Sequence, residues 1–207
     1  QQLREQLEAI LTPQRVIGSF AFPGGERIRS VGALPAMCDA HWRSARDYLY
    51  NGDFERWLRD LNRLDLVEVA RSMRRRYRDR DAGLEAFLRR LDPGLPRPKL
   101  AIDPGALDLG RVAREGEITL SLRLHNVSRG YIRARIKPLA PWLGVQPRSV
   151  GLLAGKPPTV ATVTVHTRSL PWRVQQRGEI EIRAGVGGHI SVPVRATVSL
   201  RHENWRN

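Results

Sequence analysis

The chain holds one cysteine, Cys38, in 207 residues, so no internal disulfide can form and a disulfide-stapled scaffold is excluded. A reducing, cytoplasmic setting is the simplest expectation from that count. Methionine is scarce (2 residues), and aromatic side chains make up 6%. No apolar run reaches the roughly 18–20 residues that a membrane-spanning helix needs, so no membrane partner is expected. The opening residues, Gln1-Gln2-Leu3-Arg4, lack both an initiator Met and the apolar centre of a signal peptide; the sequence is expected to be a piece of something longer. Lysine is nearly absent, at Lys99, Lys137 and Lys156 only, although basic residues total 35.

Arginine therefore supplies most of a net charge of +14. Up to Pro98 there are 18 basic and 14 acidic residues, and beyond it 17 and 7, so the excess sits mainly in the second half. Two readings stand side by side: an arginine-rich composition without a role, or a basic surface for a polyanion. Hydrophobic residues at 41% and charged residues at 27% describe an ordinary globular chain, long enough for one or two domains.

Burial rhythm divides the sequence. In residues 31–92 apolar side chains recur at helical spacing. Leu34, Met37, Cys38, His41, Trp42, Ala45, Tyr48 and Leu49 form one stripe, read as a single amphipathic helix that ends at Asn51-Gly52. Asp53 is expected to cap the next helix, with Phe54, Trp57, Leu58 and Leu61 inward. Asp65 with Glu68 reads as a capping-box start for a third, burying Leu66, Val69, Ala70, Met73 and Tyr77. Asp81 is expected to cap a fourth, with Leu84, Phe87, Leu88 and Leu91 inward, and Asp92-Pro93-Gly94 stops it. In the lead-in, Leu3, Leu7, Ile10 and Leu11 suggest a short helix, and Phe20-Ala21-Phe22 before Pro23-Gly24-Gly25 an extended piece and a turn.

Beyond Pro98 the period drops to two. Ile118–Leu124, Ala161–Val165, Ile180–Ala184 and Ile190–Leu200 alternate apolar with polar residues, and Gly185–Gly188 fits a hairpin turn. Leu100–Ile102, Ala106–Leu109, Tyr131–Ile136 and Trp142–Val145 add shorter strands. Seven or more strands in about 105 residues is the arithmetic of an immunoglobulin-like sandwich, with a closed barrel as the rival. Pro193 places the last strand at a sheet edge, because proline cannot donate to a ladder. The expected architecture is an α+β multidomain chain: a small helical bundle over residues 1–92 (1–30 poorly defined), a stiff Pro-rich linker over 93–99, and an immunoglobulin-like β-sandwich over 100–207.

In the second half, Leu107-Asp108-Leu109-Gly110, Leu124-His125-Asn126, Trp142-Leu143-Gly144-Val145-Gln146-Pro147, a Thr/Val strand, and Gly178-Glu179-Ile180-Glu181-Ile182 follow in order. That run resembles the bacterial immunoglobulin-like modules grouped with Hydin-type and BACON-type domains. Ser128-Arg129-Gly130 stands where those modules have a simple glycine turn, and arginine replaces their serine- or asparagine-rich strand ends. The helical half, through Trp42-x-x-Ala45, Leu49–Leu58 and Leu84–Pro93, is similar to regions that follow serine/threonine kinase or Hsp70-like domains in large bacterial proteins. The resemblance implies an accessory module, not a catalyst.

Chemistry-bearing motifs are sparse. Gly24-Gly25 and Gly185–Gly188 lack the strand-loop-helix context and the Lys-Ser/Thr of a phosphate loop, so no cofactor is expected. Cys38 and His41 have i, i+3 spacing on an apolar face, which favours a buried thiol and a core histidine over a metal pair. His125, His166 and His189 share outward strand parity and would meet only by favourable register. No nucleophile motif or paired acids emerge, so an enzyme is not expected.

Binding is better supported. Arg71, Arg74, Arg75 and Arg78 fall at i, i+3, i+4 and i+7, a basic face on the third helix. Arg123, Arg129, Arg133, Arg135, Arg183, Arg195 and Arg201 have mainly outward parity and suggest one positive sheet face. Of the tryptophans, Trp42, Trp57 and Trp142 are expected inside and only Trp172 and Trp205 outside. Few aromatics thus interleave with the arginines, so nucleic-acid contact would be non-specific and salt-sensitive. Three functions follow as expectations. The first is a protein partner, or other domains of the same chain, met in part by strand addition at an open edge. The others are a nucleic-acid-binding surface and a carbohydrate-binding sandwich with an aromatic platform.

Overall fold

The computed structural model describes residues 18–114 and 116–199. The expected helix around Leu3–Leu11, the end of the last strand at Leu200, and Arg201 and Trp205 lie outside them. The chain forms two compact units, divided between Leu95 and Pro96.

The first unit is helical. Among the described residues a two-stranded hairpin, β1 (Phe20–Ala21) and β2 (Arg27–Ile28), precedes five helices: α1 (Leu34–Ala40), α2 (Trp42–Asn51), α3 (Asp53–Asp60), α4 (Leu64–Arg76) and α5 (Arg80–Leu91). The single helix expected over 34–49 is two, because the backbone leaves helical values at His41 (φ −121°, ψ 46°). The stripe survives the break: Leu34 and Cys38 of α1, and Trp42, Ala45 and Leu49 of α2, are all buried. Gly52 ends α2 in the left-handed region (φ 83°) and at the same time flanks the start of α3. Asp53 is therefore the first residue of α3, and no side chain caps that helix.

The other expected caps also move. No side chain caps α4, so the capping box is absent: Asp65 receives two hydrogen bonds from Arg63, and Glu68 pairs with Arg71. The cap of α5 is Asp79, whose Oδ1 accepts from the N–H groups of Asp81 (3.1 Å) and Ala82 (3.2 Å). Asp81 instead accepts from Trp42 Nε1 at 3.0 Å, tying α5 to α2. The core gathers Phe54, Trp57, Leu58, Leu66, Val67, Ala70, Met73, Leu84, Phe87 and Leu88. Phe20 lies 5.1 Å from both Tyr48 and Phe54, and Phe54 stacks on Phe87 at 6.0 Å. The hairpin thus closes an aromatic cluster over the helices.

The second unit is a β-sandwich. One sheet runs β4 (Leu107–Ala113), β11 (His189–Ser199), β10 (Gln175–Arg183), β6 (Tyr131–Pro138), β8 (Ser149–Leu153); the other runs β3 (Leu100–Asp103), β5 (Glu117–Asn126), β9 (Thr159–His166), β7 (Leu143–Gln146). Alternation fills the space between them: Ile132, Ala134, Ile136, Ile180, Ile182 and the apolar residues from Val192 to Val198 face Leu122, Leu124, Ala161, Val163 and Val165. Trp142 belongs to this core, and Gly178 makes room for it: a Cβ there would lie 2.7 Å from Trp142 Cζ2.

The chain crosses from one sheet to the other at every connection from β3 to β10, and two of these crossings are proline steps, Asp103-Pro104 and Gln146-Pro147. The second delivers β8, a strand absent from the sequence reading. Arg97 to Lys99, expected as linker, are fastened to the sandwich. The Ser128 hydroxyl donates to the Arg97 carbonyl (3.0 Å), Asn126 Oδ1 accepts from Lys99 N–H (3.3 Å), and Pro98 is buried.

The last strand is not an edge. β11 lies between β10 and β4. Its parallel pairing with β4 begins only at Val194, so Pro193 sits on a stretch with a neighbour on one side alone. Further along, Ala196 faces two residues of β4, Leu109 and Gly110, in a β-bulge where Gly110 has φ 59°.

Candidate interaction surfaces

On the helical unit the expected four-arginine face does not form. α4 stops at Arg76, Tyr77 turns extended (φ −107°, ψ 113°), and Arg78 lies beyond the helix. Arg71 and Arg74 point at one carboxylate, Glu55 of α3, which is buried. Arg71 Nε donates to Glu55 Oε2 at 3.1 Å and its Nη1 to Glu68 at 2.6 Å; Arg74 Nη1 bonds the other oxygen of Glu55. Hydrogen bonds to Glu55, then Glu68, hold the Arg71 guanidinium above its ordinary range.

Glu55, Arg71, Arg74 and Tyr50 surround a shallow recess of about 410 Å³ whose rim includes exposed Arg75. The Tyr50 hydroxyl donates to the Tyr77 carbonyl at 2.9 Å, and the Arg80 guanidinium covers its ring at 5.3 Å. Burial, then the charge of Asp79, raises the Tyr50 pKa. The arginines here mainly hold helices together. Glu55 was absent from the sequence reading because it interrupts the apolar run Phe54–Leu58 as a solvent-facing residue would.

On the sandwich the basic residues are divided between two sheets. Arg123 lies on the four-stranded sheet and gives two hydrogen bonds to Asp103 of β3, at 2.9 and 3.2 Å. Arg129 lies in the loop before β6 and reaches the Pro96 carbonyl. The single positive face expected from parity thus loses these two.

What remains belongs to the outer face of the five-stranded sheet, where Arg133, Arg135 and Lys137 of β6, Arg177 and Arg183 of β10, and Arg195 of β11 are all exposed. Arg195 stands beside both Arg177 and Asp108. Arg183 and Arg135 are cross-strand partners, and Glu181 and Lys137 form the adjoining pair. Glu181 is the local counter-charge. It accepts from Arg183 Nη2 at 2.8 Å and faces His189 Nε2 at 3.2 Å. The bond from Arg183 chiefly, with a smaller contribution from His189, holds the Glu181 carboxyl below its usual range.

The histidines do not converge. His125 is on β5; His166, at the end of β9, meets Glu117 at 3.0 Å; His189 opens β11 on the other sheet. Cys38 is buried, and His41 pairs with Glu26. Among the described residues no group of three or more His, Cys, Asp or Glu side chains could hold a metal ion. No helix among them is long and apolar enough to cross a membrane. Trp172 is half-buried against the core under Arg114, 5.1 Å from its ring, so it forms no flat exposed platform.

No family model matches the chain, and no curated protein matches it. Solved structures share parts of its shape. The ASH/PapD-like domain 7 of human CEP192 is 13% identical, over 52% of this chain and 90% of that one, with a TM-score of 0.43. The CsuC–CsuE chaperone–adhesin pre-assembly complex of Acinetobacter baumannii gives 14% identity, 49% and 57% coverage and a TM-score of 0.40. A GH5 xyloglucanase of Bacteroides ovatus gives 10% identity and a TM-score of 0.35, and the matched region spans 49% of this chain but 19% of that one.

Proposed function

We propose that the chain is a non-catalytic accessory module that binds a protein partner through the basic outer face of the five-stranded sheet. One observation carries this reading: Arg135 and Arg183 are set directly opposite each other on a solvated face that also carries Arg133 and Lys137. Like charges directly opposite across strands destabilise a sheet. Such an arrangement is expected where an anionic surface repays the repulsion on binding. The helical unit, whose Arg71 and Arg74 are engaged by Glu55, serves in this reading as a scaffold.

The test is quantitative capture with the native chain and the Arg135→Glu/Arg183→Glu double variant as baits. A partner acidic at its contact surface, retained by the native chain and lost by the variant, is the expected result. The same pair is assayed against a single-stranded DNA oligonucleotide across a salt series. Tight, steeply salt-dependent DNA binding, with no protein retained, would replace this reading by the nucleic-acid one.

A further inference from the structure

The edges of the five-stranded sheet are guarded unequally. β4 carries the Gly110 bulge, and the one-sided stretch of β11 carries Pro193; both devices discourage an added strand. The edge strands of the other sheet, β3 and β7, have four residues each and run into Pro104 and Pro147. β8, the remaining edge among the described residues, reads Ser149-Val150-Gly151-Leu152-Leu153, with no proline, charge or bulge within it.

Its open groups follow from the ladder. Ile136 N–H donates to the Arg148 carbonyl (2.9 Å) and Ala154 N–H to the Gly130 carbonyl (3.0 Å). Residues 148, 150, 152 and 154 therefore turn their backbone groups toward β6, and the N–H and C=O of Ser149 and Gly151 point away from it. Positive charge lies alongside. Arg133 Nε donates to Ser149 Oγ at 2.8 Å, so its guanidinium lies over the edge strand. Arg135 is the cross-strand neighbour of Ser149.

We infer that β8 accepts an extended acidic peptide segment as an added strand, with carboxylates on its outer face meeting Arg133 and Arg135. This deepens the protein-partner reading and rests on it: the basic face supplies charge recognition, and the backbone of Ser149 and Gly151 supplies the register. The occupant is an alternating sequence, acidic on the outer face and small apolar on the other.

The test is fluorescence anisotropy with a labelled nonapeptide of alternating Glu and Val, and the same peptide N-methylated at alternate amides. N-methylation removes ladder donors and leaves the charge unchanged. The native chain is expected to bind the first at least tenfold more tightly than the second. Ser149→Ala keeps the edge donor and should bind within a few-fold of the native chain, whereas Ser149→Pro removes that donor and should lose at least tenfold. Equal affinity for the two peptides overturns strand addition while the basic-face reading stands, and it does so whether or not Ser149→Pro folds. Binding of the unmethylated peptide that survives Arg135→Glu/Arg183→Glu unchanged would instead remove the basic face. Undetectable binding of the unmethylated peptide to the native chain also overturns the inference.

Discussion

Arg135 of β6 and Arg183 of β10 occupy one cross-strand position on the outer face of the five-stranded sheet, with Glu181 satisfying Arg183 from two residues away. The arrangement sets two demands against each other: sheet stability disfavours the pair, and anion binding favours it. Replacing Arg135 by Thr, a good strand former, should leave stability unchanged or raise it by about 0.2–1 kcal/mol. The same change should weaken binding to an acidic partner. Urea unfolding and binding isotherms on one protein preparation check both halves.

Glu181 gives the sandwich a pH dependence of known sign. Its folded-state pKa lies below its unfolded one, held there first by the bond from Arg183. The stabilisation is therefore present above the unfolded value and is lost as pH falls through the folded value. Between about pH 5 and pH 3 the native chain should lose stability more steeply than Glu181→Gln, read by denaturant unfolding at each pH. The difference should be small, because the pair is on the surface.

In the helical unit, Glu55 is the buried carboxylate that Arg71 and Arg74 share. Glu55→Ala should cost about 1–2 kcal/mol, since the two arginines remain half-exposed and can turn to water. Glu55→Gln should cost less, because one acceptor oxygen survives. Chemical denaturation of the three proteins gives the order.

Two glycines are fixed by what surrounds them. Gly52→Ala puts a side chain into a left-handed φ of 83° with Arg74 Nη1 3.2 Å from its Cβ, and should cost about 1 kcal/mol or more. Gly178→Ala forces a methyl group to within 2.7 Å of Trp142 Cζ2 and 2.9 Å of Leu143 Cδ1, and should cost about 1–3 kcal/mol. A change in tryptophan emission is expected with the second and not with the first.

The change of burial rhythm near Pro98 was legible in the sequence because period is a property of many residues at once. Trp42, Ala45 and Leu49 on one helix face, and Ile180 and Ile182 inside the sandwich, lie where the spacing puts them. Caps were less legible because each depends on a single backbone turn. Asp79 and Asp81 are both credible caps for α5, and only φ and ψ choose Asp79. His41 gives no local signal for the break between α1 and α2. Strand β8 escaped because Gly151 takes the outward position where a polar residue would complete the alternation; the Tyr131 ring fills that space from the neighbouring strand. The basic face of the five-stranded sheet was half legible. Parity sent the arginines outward, but only the strand order separates Arg123 from Arg133, Arg135 and Arg195. Pro193 signalled a missing neighbour correctly in kind but over only part of β11.

A titration of the isotopically labelled chain with a poly-glutamate peptide, followed amide by amide, tests the central claim most directly. Shifts that saturate and concentrate on Arg133, Arg135, Arg183, Ser149 and Gly151 are the expected result. Shifts centred instead on the Arg71–Arg75 segment, or spread evenly over both units without saturation, would contradict it.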